Sequence, residues 1–144
     1  MGKILGIDIG TKMLGVALSD DTGKIAFPKD AVQIANIDEM AEKIETIANE
    51  SGVETIVIGL PVHLSGDESK MSLLARKIAK ELDSRGYKTE LWDERFSSVE
   101  AERTMRTLGK KPSRNKEDLN NLAAVIILQS YLDSINIIDN EELY

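Results

Sequence analysis

Residues 5–20 read LGIDIGTKMLGVALSD, and Asp8 stands inside an apolar run with the composition of a buried strand. A buried carboxylate without a partner costs several kcal/mol, so Asp8 either has a partner or meets a cation. The run breaks at Gly10 and resumes at Leu14, which predicts two strands, residues 3–9 and 14–19. Asp20-Asp21-Thr22-Gly23 then reads as a turn leading into a short third strand at 24–27. Three strands joined this tightly form an antiparallel meander.

From Asn36 the period changes. Ile37, Met40, Ala41, Ile44, Ile47 and Ala48 recur at helical spacing, and the helix closes near Ser51-Gly52. Residues 55–59 are a β-branched apolar run, hence a buried strand. A helix over 69–85 carries Leu73, Leu74, Ile78 and Leu82 on one side and ends at Gly86. A fifth strand follows at 87–93, then helical sequence from about 97 to 108. The last helix, 115–134, is apolar all round between Leu122 and Leu128, so its middle belongs against the sheet. This order predicts an α/β layer fold with a five-stranded mixed sheet flanked by helices.

The chain has 144 residues and 42% hydrophobic content, the dimensions of one domain spanning 1–144. It has no signal-peptide pattern and no run approaching the ~20 apolar residues of a membrane span, so a cytoplasmic location without membrane contact is expected. With no cysteine and one histidine, any metal would be held mostly by oxygen, which suits hard cations. The net charge of −7 argues against nucleic acid, yet six basic residues and no acid lie between Arg103 and Lys116. A local basic segment therefore stands on an acidic body, either as a solvated loop or as a phosphate contact.

Acids at strand ends gain meaning when their strands are neighbours. Asp8 closes the first strand and Asp93-Glu94 close the fifth. Carboxylates meeting at one sheet edge repel unless a cation lies between them, so such a cluster suits Mg²⁺ or Mn²⁺. Two such ions are a common means of phosphodiester hydrolysis. The alternatives are a strand-end acid bonded to turn amides for Asp8 and an internal ion pair with Arg95 for Asp93-Glu94.

The segments GIDIGTKMLGVALSD, VIGLPVHLSGDES, WDERFSSVEAE and LAAVIILQSYL, in this order over nearly the whole chain, resemble the YqgF/RuvX family of Holliday-junction-resolvase-like nucleases. The resemblance implies a ribonuclease-H-like fold. It also implies processing of the 5′ end of precursor 16S ribosomal RNA, or cleavage of Holliday junctions, with pre-rRNA, branched DNA or ribosomal precursor particles as partners. The family's first acid falls on Asp8 and its second within Asp93-Glu94; successive strand residues face opposite ways, so both stay candidates as catalytic and metal ligands.

Arg95, Ser97 and Ser98 then look like substrate-side groups, the planar fork of Arg95 and a helix start at Ser97 both suiting a phosphate. Thr11 and Lys12, beside the first acid, join the substrate-binding set, as do Lys110, Lys111 and Arg114 of the basic segment. Ser65-Gly66 makes a turn near the same edge, and His63 reads as a surface residue rather than a base.

The third acid departs from the pattern. Relatives place an aspartate about one turn before the apolar stretch of the last helix, and aligning LAAVIILQSYL puts that position on Asn120. Asp118 lies roughly 200° around the helix and pairs with Asn115 as a cap, so Asn120 is the residue expected to face the site. Its carbonyl can ligate Mg²⁺, but it is neutral and takes no proton, so weakened metal binding and low activity are expected. Two rival readings remain. A binding protein could use the same cleft without cutting. DIGT followed by Lys12 and Gly15 also looks like the phosphate loop of actin-like ATPases, which need two such domains where this chain has room for one.

Overall fold

The apolar alternation around Asp8 is realised as a hairpin at the heart of a five-stranded sheet. The computed structural model of the protein describes residues 2–61, 69–94 and 116–142, with side chains of the last segment described from 121 to 136. Strands β1 (Ile4–Ile9) and β2 (Met13–Ser19) pair antiparallel, with Asp8 opposite Gly15. Strand β3 (Ala26–Gln33) pairs antiparallel with β2, while β4 (Thr55–Leu60) and β5 (Lys88–Asp93) run parallel to β1. The spatial order is β3-β2-β1-β4-β5, so the carboxyl ends of β1, β4 and β5 share one edge.

β3 is longer than the short strand expected at 24–27. Pro28, Lys29 and Asp30 read as breakers, but β3 is an edge strand and those residues are exposed. A proline is tolerated there because its missing N–H faces no neighbour. The register shifts between Leu14 and Val16, bending the edge.

Helix α1 (Met40–Ser51) is preceded by a 3-10 turn, Ile37–Glu39, at which the Asn36 side chain accepts from the Glu39 N–H at 3.2 Å. It ends where Gly52 adopts φ 69°, a left-handed conformation that lacks the Cβ penalty of other residues. Helix α2 (Lys70–Ser84) begins at Ser69, whose hydroxyl accepts from the Ser72 N–H at 3.1 Å. Both helices cover the sheet face that carries Leu5, Ile7, Leu14, Val16, Ile56 and Ile58. Helix α3 (Lys116–Glu142) covers the other face. It runs past the expected end at Ser134 because no glycine or proline follows to stop it. The helix expected over 97–108 lies outside the described residues, as do Ser65-Gly66 and His63. No helix among the described residues is long and apolar enough to cross a membrane.

The residues facing α3 near the site are small. A Cβ on Gly6 would stand 2.7 Å from Leu128 Cβ and 3.3 Å from the Ala124 carbonyl oxygen. The helix is then held across the sheet by side chains. Gln129 accepts from the Ala26 N–H at 2.9 Å, and Trp92 donates to Ser130 while its ring meets Tyr131 edge-on at 5.5 Å. Gly6→Ala is therefore expected to lower stability by about 1–3 kcal/mol, read as a drop of several degrees in Tm. Gly2→Ala, where nothing lies within 4 Å, is the matched control with no loss.

Candidate active site

Strand alternation decides which acids meet. Ile4, Gly6 and Asp8 belong to the α3 face of β1, and on β5 that face belongs to Trp92, which packs with α3, while Leu91 packs on the α1–α2 side. Asp93 follows Leu91's face and Glu94 follows that of Trp92. The Glu94 carboxyl stands over Gly59 of β4, close enough that a Cβ there would lie 2.8 Å from Glu94 Oε1 and 2.5 Å from Ile127 Cδ1. Two candidate ligands, Asp8 and Glu94, are thus brought into side-chain hydrogen-bond contact, whereas Asp93 belongs to the opposite face. No group of three or more potential ligand side chains of the His, Cys, Asp or Glu type occurs among the described residues.

The electrostatics follow from that contact. Burial, the Glu94 charge and the hydrogen bond to Glu94 raise Asp8 from 3.8 to about 7. Burial also raises Glu94, opposed by the hydrogen bond from Asp8 and reinforced by the Asp93 charge. At mildly acid pH the pair shares one proton, with Asp8 as donor and Glu94 as acceptor. Loss of that proton leaves two like charges in a partly buried place, a deficit that a divalent cation is suited to relieve.

Position 120 lies on α3 one turn before Ala124, whose carbonyl sits over Gly6. The backbone of α3 thus enters the sheet at the Asp8 edge; the side chain of Asn120 lies outside the described residues. So do Arg95, Ser97, Ser98, Lys110, Lys111 and Arg114. The neighbouring Asn121 is a residue that sequence reasoning missed. Its Oδ1 accepts from the Val16 N–H at 3.3 Å, beside the β2–β3 register shift and one residue from Gly15, the partner of Asp8. The signal was present as the second amide of an Asn-Asn pair, but nothing in the pattern tells a helix-to-strand tether from a solvent-facing amide.

Thr11 and Lys12 line a groove of about 790 Å³ at the β1–β2 turn, together with Gln33, Glu39 and Lys43. The turn is clamped by the Ile34 N–H, which donates to the Lys12 carbonyl at 2.8 Å. Lys43 of α1 was not foreseen as a neighbour of Lys12, because the two come together only through the loop that follows β3.

The comparisons with known proteins bear on the family and the fold. The family model described as "RuvX: Holliday junction resolvase" matches residues 2–134. A Geobacillus protein named "Putative pre-16S rRNA nuclease" is 38% identical over 138 residues, covering 92% of this chain and 98% of its own. A Myxococcus xanthus protein of the same name is 37% identical over 133 residues, covering 92% and 88%. In structure, the chain is similar to Thermus thermophilus RuvC in complex with a Holliday junction substrate. The TM-score is 0.65 at 12% identity, over 94% of this chain and 96% of that one. That likeness shows the shared ribonuclease-H-like fold, as the resemblance had implied and in agreement with the mixed α/β element order.

The raised Asp8 gives a pH signature. Between pH 3.8 and about 7 the folded metal-free protein holds a proton that the unfolded chain has released, so stability falls as pH rises through that window. Asp8→Asn, which removes the charge conflict, is expected to stabilise the metal-free protein at pH 7.5 by on the order of 2 kcal/mol and to flatten the pH dependence. Thermal melts of both proteins from pH 4 to 8 test this; equal slopes would contradict it. With the family model covering nearly the whole chain and relatives close to 40% identical, the protein belongs to the RuvX family.

Proposed function

We propose that this protein is a divalent-metal-dependent phosphodiesterase of structured nucleic acid, acting on the 5′ precursor of 16S ribosomal RNA. The observation that carries the reading is the Asp8–Glu94 carboxyl pair at the carboxyl edge of the sheet, beneath the amino-terminal part of α3. The names of the curated relatives support the choice of RNA. The family description makes a branched DNA junction the second substrate to test.

The residues present fit a hard cation. Two carboxyl groups, both raised first by burial and Asp8 also by the Glu94 charge, offer only oxygen, and Mg²⁺ typically takes one or two carboxylates while keeping several waters and substrate phosphate oxygens. Asp8 and Glu94 would hold the ion, with the amide oxygen of Asn120 as a neutral third donor and Asp93 in an outer, electrostatic role. When bound, Mg²⁺ or Mn²⁺ activates water and stabilises the leaving oxygen.

The chain's own groups do the rest. Asp8 gives up its shared proton before it can bind a cation, so acid pH opposes metal loading. Asn121 fixes the height of α3 above β2. Thr11 and Lys12 border the groove on one side of the edge and suit a phosphate of the bound strand. Arg95, Ser97 and Ser98, directly after the second acid, and Lys110, Lys111 and Arg114 are assigned the other phosphate contacts on their chemistry and their place in the chain.

Asn120 favours a second reading, in which the same cleft holds nucleic acid without cutting, because a neutral ligand weakens metal binding. Cleavage assays on a 16S precursor and on a four-way junction, with Mg²⁺ and with Mn²⁺, separate the two. The parent is expected to cut the precursor, Asp8→Asn to lose roughly a hundredfold or more while still binding, and Asn120→Asp to cut faster at lower metal concentration. A parent that binds but never cuts, with Asn120→Asp no better, would establish the binding role instead.

A further inference from the structure

Helix α2 carries a second basic surface, separate from the segment between Arg103 and Lys116. From Lys70 to Lys80 there are four cations, Lys70, Arg76, Lys77 and Lys80, and no acid, in a chain whose net charge is −7. At 100° per residue these four fall within a stripe of about 120°, opposite the buried stripe of Ser72, Ala75, Ile78, Ala79 and Leu82. All four are exposed, and Leu73, 56% exposed, lies between them. Lys70, Lys77 and Lys80 form no ion pair with any described residue.

The arrangement runs against helix economy. Arg76 and Lys80 are like charges at i and i+4, and Lys70 stands in the first turn, where the helix dipole disfavours a cation. Each costs a few tenths of a kcal/mol in an isolated helix. The neighbouring α1 is mostly acidic, with Glu42, Glu45 and Glu50 beside one lysine, Lys43, and Arg85, the residue capping α2, pairs with Glu45 at 2.6 Å. The exposed stripe of α2 up to Lys80 is thus uniformly basic, while α1 carries three acids and one lysine.

The stripe has a direction. Helix α2 follows β4 and precedes the parallel β5, so it runs back across the sheet: Thr89, near the start of β5, bonds to Ala79 and Asp83 near its end. Lys70 therefore lies toward the end of the sheet that holds Asp8 and Glu94, on the opposite face from them, and Lys80 about 15 Å further back. That length matches about four nucleotide steps of a duplex strand.

We infer that this face of α2 binds the phosphodiester backbone of structured nucleic acid where it leaves the carboxylate edge, positioning the substrate without touching the reacting atoms. The inference rests on the proposed nuclease function for its choice of substrate, and it adds a docking surface to that site. The test uses a triple variant, Lys70→Ala with Lys77→Ala and Lys80→Ala. A control triple, Lys3→Ala with Lys24→Ala and Lys88→Ala, makes the same charge change elsewhere.

Binding of a 16S-precursor stem is titrated from 50 to 300 mM salt in an Asp8→Asn background, and cleavage is followed in the otherwise unaltered protein. The α2 triple is expected to weaken binding about ten- to hundredfold at 0.1 M salt and to reduce the log–log salt slope by about two to three. KM rises with it while kcat stays within about twofold, the mark of lost uniform binding. The control triple leaves the slope nearly unchanged. An unaltered slope in a protein that cleaves would overturn the α2 surface alone, and an equal loss in the control would reduce it to diffuse charge. A protein that never cleaves but shows the α2-dependent slope keeps the surface and removes the nuclease reading. A protein that binds no precursor removes both.

Discussion

The approach of α3 to β1 and β4 is the constraint on which the candidate site depends. Glycine at positions 6 and 59 leaves the strands bare where Ala124, Ile127 and Leu128 press down. The same clearance at Gly59 gives the Glu94 carboxyl its place above β4. Packing and chemistry therefore share one requirement: a side chain at Gly6 would push against α3, and one at Gly59 would displace the Ile127 side chain and the Glu94 carboxyl. Polar tethers fix the helix laterally: Gln129 to β3, Asn121 to β2, Ser130 to Trp92 of β5.

The carboxylate in an apolar strand finds its partner in another carboxylate. Two acids in contact are tolerated at acid pH as a proton-sharing pair, and at neutral pH their mutual repulsion disfavours the double-charged state unless a cation intervenes. A core built for stability alone would avoid such a pair. Its presence at the edge where three parallel strands end, in a chain of the RuvX family, is what gives the metal-dependent reading its physical basis.

Much of this was legible in the sequence because the signals were local. The β1–β2 hairpin, α1, β4, α2 and β5 followed from periodicity and glycine punctuation within a residue or two. Asp8 stood out because its surroundings were apolar. Features set by tertiary position were harder to read. Pro28 hid most of β3, since only an edge location makes a proline harmless there. Strand alternation could not choose between Asp93 and Glu94 until Trp92 was seen to face α3. Asn121 and Lys43 acquired partners only through register and loop geometry. The basic stripe of α2 was missed because charge was counted along the chain, where Glu68 and Glu81 flank it, rather than around the helix.

An acidic pair at the sheet edge with cations at the Lys12–Lys43 groove, and a basic stripe on the outer face of α2, is a charge pattern suited to a polyanion. Its centre can be tested without any substrate. Crystals grown at neutral pH and soaked in Mn²⁺ locate the ion through its anomalous scattering. The account predicts a peak about 2 Å from carboxyl oxygens of both Asp8 and Glu94. Saturating Mn²⁺ with no peak there, or a peak confined to some other group of acids, would contradict it.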